Sequence, residues 1–136
     1  MNARETVREY YEALRADAPL SAYFAQRPGV VKVGVFSHGV GFESVAEGFR
    51  RQRHRTTDWT VDSHALATDE HDGYARFSDR VDLAWTDTVA DSSYAFETRW
   101  TGVLVPDAET EHDWAFVDMH VSAPHDREQT TTLDAS

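Results

Sequence analysis

Tyr74-Ala75-Arg76-Phe77-Ser78-Asp79-Arg80-Val81-Asp82-Leu83-Ala84-Trp85-Thr86 decides the fold. Ala75, Phe77, Val81, Leu83 and Trp85 share one parity, while Tyr74, Arg76, Ser78, Arg80 and Asp82 share the other. A period of two belongs to a β-strand whose two faces meet different surroundings. Working outward, turn clusters at 69–73, 87–91 and 106–113 divide the chain beyond Arg55 into four long strands, near 59–68, 74–86, 93–105 and 114–122. Short links between consecutive strands predict an antiparallel meander.

Toward the N-terminus the period changes to that of a helix. Val7, Tyr10, Tyr11 and Leu14 recur at three- and four-residue spacing and mark one face of an amphipathic helix over 4–14. Asn2 and Glu5 have the spacing of a capping box. A short helix is expected over 20–26, ended by Arg27-Pro28-Gly29, then a strand over 30–36. The loop Ser37-His38-Gly39-Val40-Gly41 and a helix over 43–53 follow. The expectation is one α+β domain over residues 1–124, with helices packed on a curved sheet, and a polar, disordered tail over 125–136.

Composition excludes several classes of function. Cysteine is absent, which removes disulfides, thiolate metal sites and a cysteine nucleophile. The 13 basic residues against 24 acidic ones leave a net charge of −11, and Lys32 is the only lysine. Such a surface repels nucleic-acid phosphates and anionic membranes, so neither is expected as a partner. Abundant carboxylates with a single lysine point to a salt-loving cell, with an ordinary acidic bacterial protein as the alternative. The N-terminus lacks the pattern of a signal peptide, so the expected location is the cytoplasm. The run Arg50-Arg51-Gln52-Arg53-His54-Arg55 fits a helix C-terminus, where the dipole favours cations. The seven histidines show no pair at ligand spacing on one element, so neither metal nor cofactor is expected.

Parity places Asp79, Glu97, Arg99 and Thr101 on the helix-facing side, together with Ala95, Val103 and Val105. Burying such charges is costly unless they pair or line a wet cavity. A pocket is therefore expected, with Arg99 holding an anionic group and Asp79 or Glu97 orienting it or acting as base; the bland alternative is an internal ion pair. Tyr10, Phe36, Trp59, Phe77, Thr101 and Met119 complete the expected lining. The opposite face then carries Tyr94, Phe96, Trp100, Leu104, Trp114 and Phe116, which predicts a homodimer through the outer sheet. His120 falls on that side with Asp118 and Ser122, at an interface or as a further ligand-binding residue. No Gly-x-Ser-x-Gly elbow occurs, so these residues are not read as a hydrolase triad.

The order of elements, with Trp100-Thr101-Gly102-Val103-Leu104-Val105 leading into Trp114-Ala115-Phe116-Val117-Asp118-Met119-His120-Val121-Ser122, resembles the SnoaL-like branch of the nuclear-transport-factor-2-like superfamily. The ending Trp-x-x-x-x-x-His-x-Ser, with Glu97-Thr98-Arg99, is also similar to the association domain of calcium/calmodulin-dependent protein kinase II. The resemblance implies a sheet curved into a cone around a helix, a deep pocket, and dimers through the outer sheet face. Against the ketosteroid isomerases, Tyr10 matches the oxyanion tyrosine, but the base falls near Val33 and the second acid near Thr101, so steroid isomerisation is disfavoured. Two functions stay open. One is small-molecule binding, extending to an isomerase, cyclase or hydratase-like enzyme that moves protons on an apolar ligand bearing a carbonyl or anionic group. The other is a non-catalytic association module.

Overall fold

The computed structural model describes residues 1–124. The tail expected over 125–136 lies outside the described residues. Helix α1 (Ala3–Arg15) begins with the expected capping box: the Glu5 N–H donates to Asn2 Oδ1 at 2.8 Å and the Asn2 N–H to Glu5 Oε2 at 3.4 Å. Its buried face is Thr6, Val7, Tyr10, Tyr11 and Leu14. The short helix expected over 20–26 is a single 3-10 turn, Ser21–Tyr23. The chain leaves it because Phe24 bridges to Phe116 and the Ala25 N–H donates to the Phe116 carbonyl at 2.9 Å.

Strand β1 (Val31–Val33) turns back into β2 (His38–Val40), and helix α2 (Phe42–Arg55) follows. The remaining strands are β3 (Thr56–Ser63), β4 (Ala67–His71), β5 (Tyr74–Asp87), β6 (Ser92–Pro106) and β7 (Trp114–Ser122). They form one mixed sheet of order β2-β1-β7-β6-β5-β3, with β4 also on β5 and β1 running parallel to β7. The single strand expected over 59–68 is broken at His64-Ala65-Leu66. There the Ala65 N–H leaves the ladder and donates to Asp79 Oδ1 at 2.8 Å.

Register decides which side chains meet the helices. Asp79 pairs with Trp100, Arg80 with Arg99, Ser78 with Thr101 and Asp82 with Glu97. Residues directly opposite share a face, so Thr98, Trp100, Gly102 and Leu104 join the buried set of β5. Glu97, Arg99 and Thr101 stand on the outer face and are exposed. The parity expected for β6 is thus inverted, and with it the aromatic outer face that suggested a dimer. The physical reason is that both parities of 93–105 carry apolar side chains. Tyr94, Phe96, Trp100 and Leu104 offer far more apolar area than Ala95, Val103 and Val105, and the larger set takes the core. A shift between Val103 and Leu104 pairs them with Asp118 and Phe116, so β7 buries both Ala115 and Phe116 and leaves Val117 half-buried.

Gly102 makes close packing possible at the centre of the inner face. A Cβ there would lie 2.5 Å from the Asp118 carbonyl and 2.5 Å from Phe77. Above it, α1 lies in the hollow of the sheet, with the Tyr10 ring edge-on to Tyr23, Phe24, Trp100 and Phe116 at 5.4 to 6.2 Å. Helix α2 lies beside the β1–β2 hairpin and runs into β3, which leaves an opening between these elements and the end of β5.

Candidate functional site

The opening is a cavity of about 570 Å³. Its aromatic wall comes from the edge of the sheet, where Trp59 and Trp85 stack nearly parallel with ring centroids 4.7 Å apart. The Trp59 indole N–H donates to Thr56 Oγ1 at 2.9 Å, which fixes that ring at the start of β3. Phe36, on the turn between β1 and β2, is 68% exposed, yet reaches Trp85 at 6.1 Å, Tyr94 at 5.3 Å and Phe96 at 5.9 Å. It closes one side of the mouth like a rim.

Opposite the tryptophans stands Lys32. Register with Met119 turns its side chain to the inner face, where it is partly buried. Its Nζ lies 5.1 Å from the centroid of Phe49 on α2. Among the described residues no carboxylate forms an ion pair with it. Burial without a counter-charge penalises the ammonium and pulls the amine down to about 8.

The remaining charges of the mouth are mostly cationic: His38 from β2, and Arg51 and Arg55 from α2. Asp87 is the one carboxylate, and its Oδ2 accepts from Arg55 Nε at 2.9 Å. Backbone donors at Ala90 and Val89, with Arg55, hold the Asp87 carboxyl below the usual range. Arg51 lies 3.6 Å from Glu47, so in this strongly acidic protein the cavity has an aromatic wall and, among the described residues, Lys32 as its cation without an ion-pair partner. A smaller deep space of about 40 Å³ shares Lys32, Gln52 and Trp59 with the mouth and reaches Tyr10 and Trp100. Burial raises the Tyr10 hydroxyl above its ordinary value, so it remains a neutral phenol.

Of the residues expected to form a site, the structure brings Phe36 and Trp59 together at the mouth, with Tyr10 at the deep end. Phe77 and Met119 are core. Glu97, Arg99, Thr101 and His120 stand on the outer sheet face, away from this cavity, with Thr101 opposite His120.

Asp79 does face inward, but it is held by three donors. Oδ2 accepts from the Tyr11 hydroxyl at 2.8 Å and from Ser63 Oγ at 2.5 Å, and Oδ1 from the Ala65 N–H at 2.8 Å. It ties α1 and the β3–β4 corner to β5. Burial first, and then the bond to Asp79, push the Tyr11 hydroxyl well above its ordinary value.

Lys32, Trp85, Gln52 and Arg55 were missed from sequence. For Lys32 a signal existed: one lysine in a chain of arginines, set in the middle of a valine-rich strand. Among the described residues no group of three His, Asp or Glu side chains could hold a metal ion. No helix among them is long and apolar enough to cross a membrane.

Among curated proteins no match is found. Solved structures share the fold at low identity. A nuclear-transport-factor-2-like superfamily protein of Salmonella enterica is 18% identical with a TM-score of 0.76, covering 91% of this chain and 89% of its own. A proposed dehydratase of the same superfamily from Streptomyces avermitilis is 13% identical with a TM-score of 0.74, covering 90% and 93%. A proposed calcium/calmodulin-dependent protein kinase type II association domain from Thiobacillus denitrificans is 18% identical with a TM-score of 0.69, covering 91% and 96%. The SnoaL-like domain model matches residues 3–126, and the chain belongs to that family.

Proposed function

We propose that the protein binds a flat, mainly apolar small molecule in the mouth cavity, with a carbonyl or anionic group of the ligand directed at Lys32. The observation that carries this reading is a lysine without an ion-pair partner inside an aromatic-walled space of about 570 Å³, a volume in the usual range for small-molecule sites. The stacked tryptophans supply a flat apolar surface, and Lys32 supplies charge and hydrogen bonds where water is scarce. If a reaction follows, proton transfer is the class that suits the site. An amine at about 8 can both give and accept a proton near neutral pH. Asp79, bonded to three donors and outside the cavity, is not the base in this scheme. The proposed dehydratase among the structural neighbours is consistent with chemistry of this kind, at the level of its name alone.

The test is a panel of aromatic carboxylates and ketones, such as 2-naphthoate, assayed by thermal shift and calorimetry. Lys32→Met and Trp85→Ala are expected to weaken binding about tenfold or more each, roughly 1.4 kcal/mol. Arg99→Ala, on the outer face, should leave it unchanged. Absence of any stabilising compound, or equal losses in all three variants, would overturn the reading.

The homodimer keeps separate support. On the outer face Arg80 opposes Arg99, and the next pair on that face is Asp82 opposite Glu97. Like charges directly opposite are unfavourable within one sheet. A second copy related by a two-fold axis sets each arginine pair against a carboxylate pair. Under this reading Arg99→Glu shifts the sedimentation coefficient from dimer to monomer, and rising salt does the same for the native protein. A native protein that sediments as a monomer at every concentration removes the dimer.

A further inference from the structure

We propose that Lys32 is a covalent carbonyl-binding residue, whose amine condenses with an aldehyde or ketone seated against Trp59 and Trp85 to form an imine. The inference rests on the mouth cavity being a small-molecule site, and it adds a bond that binding alone does not need.

Three features of the site point to it. The amine opens into the cavity from the inner face of β1, so a carbonyl carbon lying over the tryptophan wall can reach it. Phe49 lies under the amine and Gly34 beside it; a Cβ added at Gly34 would lie 3.1 Å from Nζ and 2.5 Å from Ser37 Oγ, so the amine stands clear of any side chain at that position. Among the described residues, none of the charged groups around it forms an ion pair with it: they are His38 from β2, Arg51 from α2, which lies 3.6 Å from Glu47, Arg55 from α2 and Asp87 from β5, which pair with each other, while α1 contributes the neutral Tyr10 hydroxyl. Burial pulls the amine down to about 8, so a substantial neutral fraction is expected near that pH. An ordinary lysine, near 10.4, is almost wholly protonated there.

The step balances without an oxidant or a metal. The Nζ lone pair forms a bond to the carbonyl carbon, and the C=O π pair moves to oxygen, which takes up the proton released from nitrogen to give a carbinolamine. That hydroxyl takes a proton from solvent and leaves as water while the nitrogen lone pair closes the C=N bond, and the iminium N–H then returns a proton to solvent. One amine and one carbonyl yield one imine and one water.

The sequence makes the test unusually clean, because the chain holds one lysine and the only other amine is the N-terminus, ion-paired with Asp113 at 2.7 Å. The probe is 2-naphthaldehyde with sodium cyanoborohydride, which delivers hydride to the imine carbon and fixes the adduct as a secondary amine. Peptide mapping of the native protein is expected to place the label on Lys32. Labelling should run roughly tenfold or more faster than in the same chain unfolded in guanidinium chloride. The rate should climb as pH rises through about 8, and 2-naphthoate should suppress it. Lys32→Arg should lose the label. The unfolded-chain comparison keeps the test decisive even if that variant does not fold. A label confined to the N-terminus, or equal rates in native and unfolded chains, overturns the imine. If 2-naphthoate still stabilises the protein in that case, the cavity reading survives alone; if it does not, both fall.

Discussion

Asp79→Ala should cost about 2 to 3 kcal/mol of folding stability, because it removes three hydrogen bonds to a carboxylate and strands the buried Tyr11 hydroxyl. In the native chain the Tyr11 hydroxyl and the Ala65 N–H both turn inward to reach it, with Ser63 closing the corner between β3 and β4. Removing the carboxylate leaves the buried Tyr11 hydroxyl without an acceptor, while Ser63 and Ala65, on an exposed corner, can turn to water. A domain of this kind is stable by roughly 5 to 15 kcal/mol, so the loss is a large share of the total. Tyr11→Phe removes one donor and keeps the carboxylate, and about 1.5 to 3 kcal/mol is expected, the usual worth of a hydrogen bond to a charged group. Guanidinium denaturation with tryptophan fluorescence reads both values. An Asp79→Ala protein within 1 kcal/mol of native would sink the idea that this residue is a structural tie, and would reopen a place for it in chemistry.

Tyr10→Ala is the second large effect, at about 3 to 5 kcal/mol, the range for emptying an aromatic site in a core. The ring is 2% exposed and stands edge-on to four other rings, so truncation enlarges the deep space beside Lys32 that already measures about 40 Å³. Tyr10→Phe separates ring from hydroxyl. Among the described residues that hydroxyl has no side-chain or backbone acceptor, so its removal should change stability by no more than about 0.5 kcal/mol. Any loss of 2-naphthoate binding in Tyr10→Phe then reports contact between the hydroxyl and the ligand. A stability loss above about 1.5 kcal/mol instead would mean that the hydroxyl serves the fold.

The two residues illustrate what could be read early and what could not. That Asp79 would be buried followed from its position in an alternating strand, with Phe77 and Val81 on the same face. That it would be bound by three donors did not follow, since Tyr11, Ser63 and Ala65 come from parts of the chain with no local pattern linking them to it. Glu97, Arg99 and Thr101 were lost for a different reason. Segment 93–105 is apolar on both parities, and its alternation alone does not say which set faces in. Pairing with β5 settles it, because Trp100 must lie beside Asp79 for the ladder to close. His38-Gly39-Val40 was read as loop. Among the described residues its only partner is β1, a three-residue strand, and so short a hairpin leaves little mark on composition.

Without help from any contact, the amino-acid order determined the helical first segment and its cap, the long strands, and the absence of cysteine chemistry. It also determined the acidic surface and the family resemblance. These are local properties: a period of two or 3.6, a capping pair or a charge total is written within neighbouring residues. Only the tertiary structure decided which face of β6 is buried, where Asp79 finds its donors, and that Lys32 looks into an aromatic cavity beside Trp59 and Trp85. A shift of one residue in strand pairing exchanges the inner and outer sets, and no single strand carries that information. The long-stranded sheet was legible from one segment, but the site it encloses depends on the register of several.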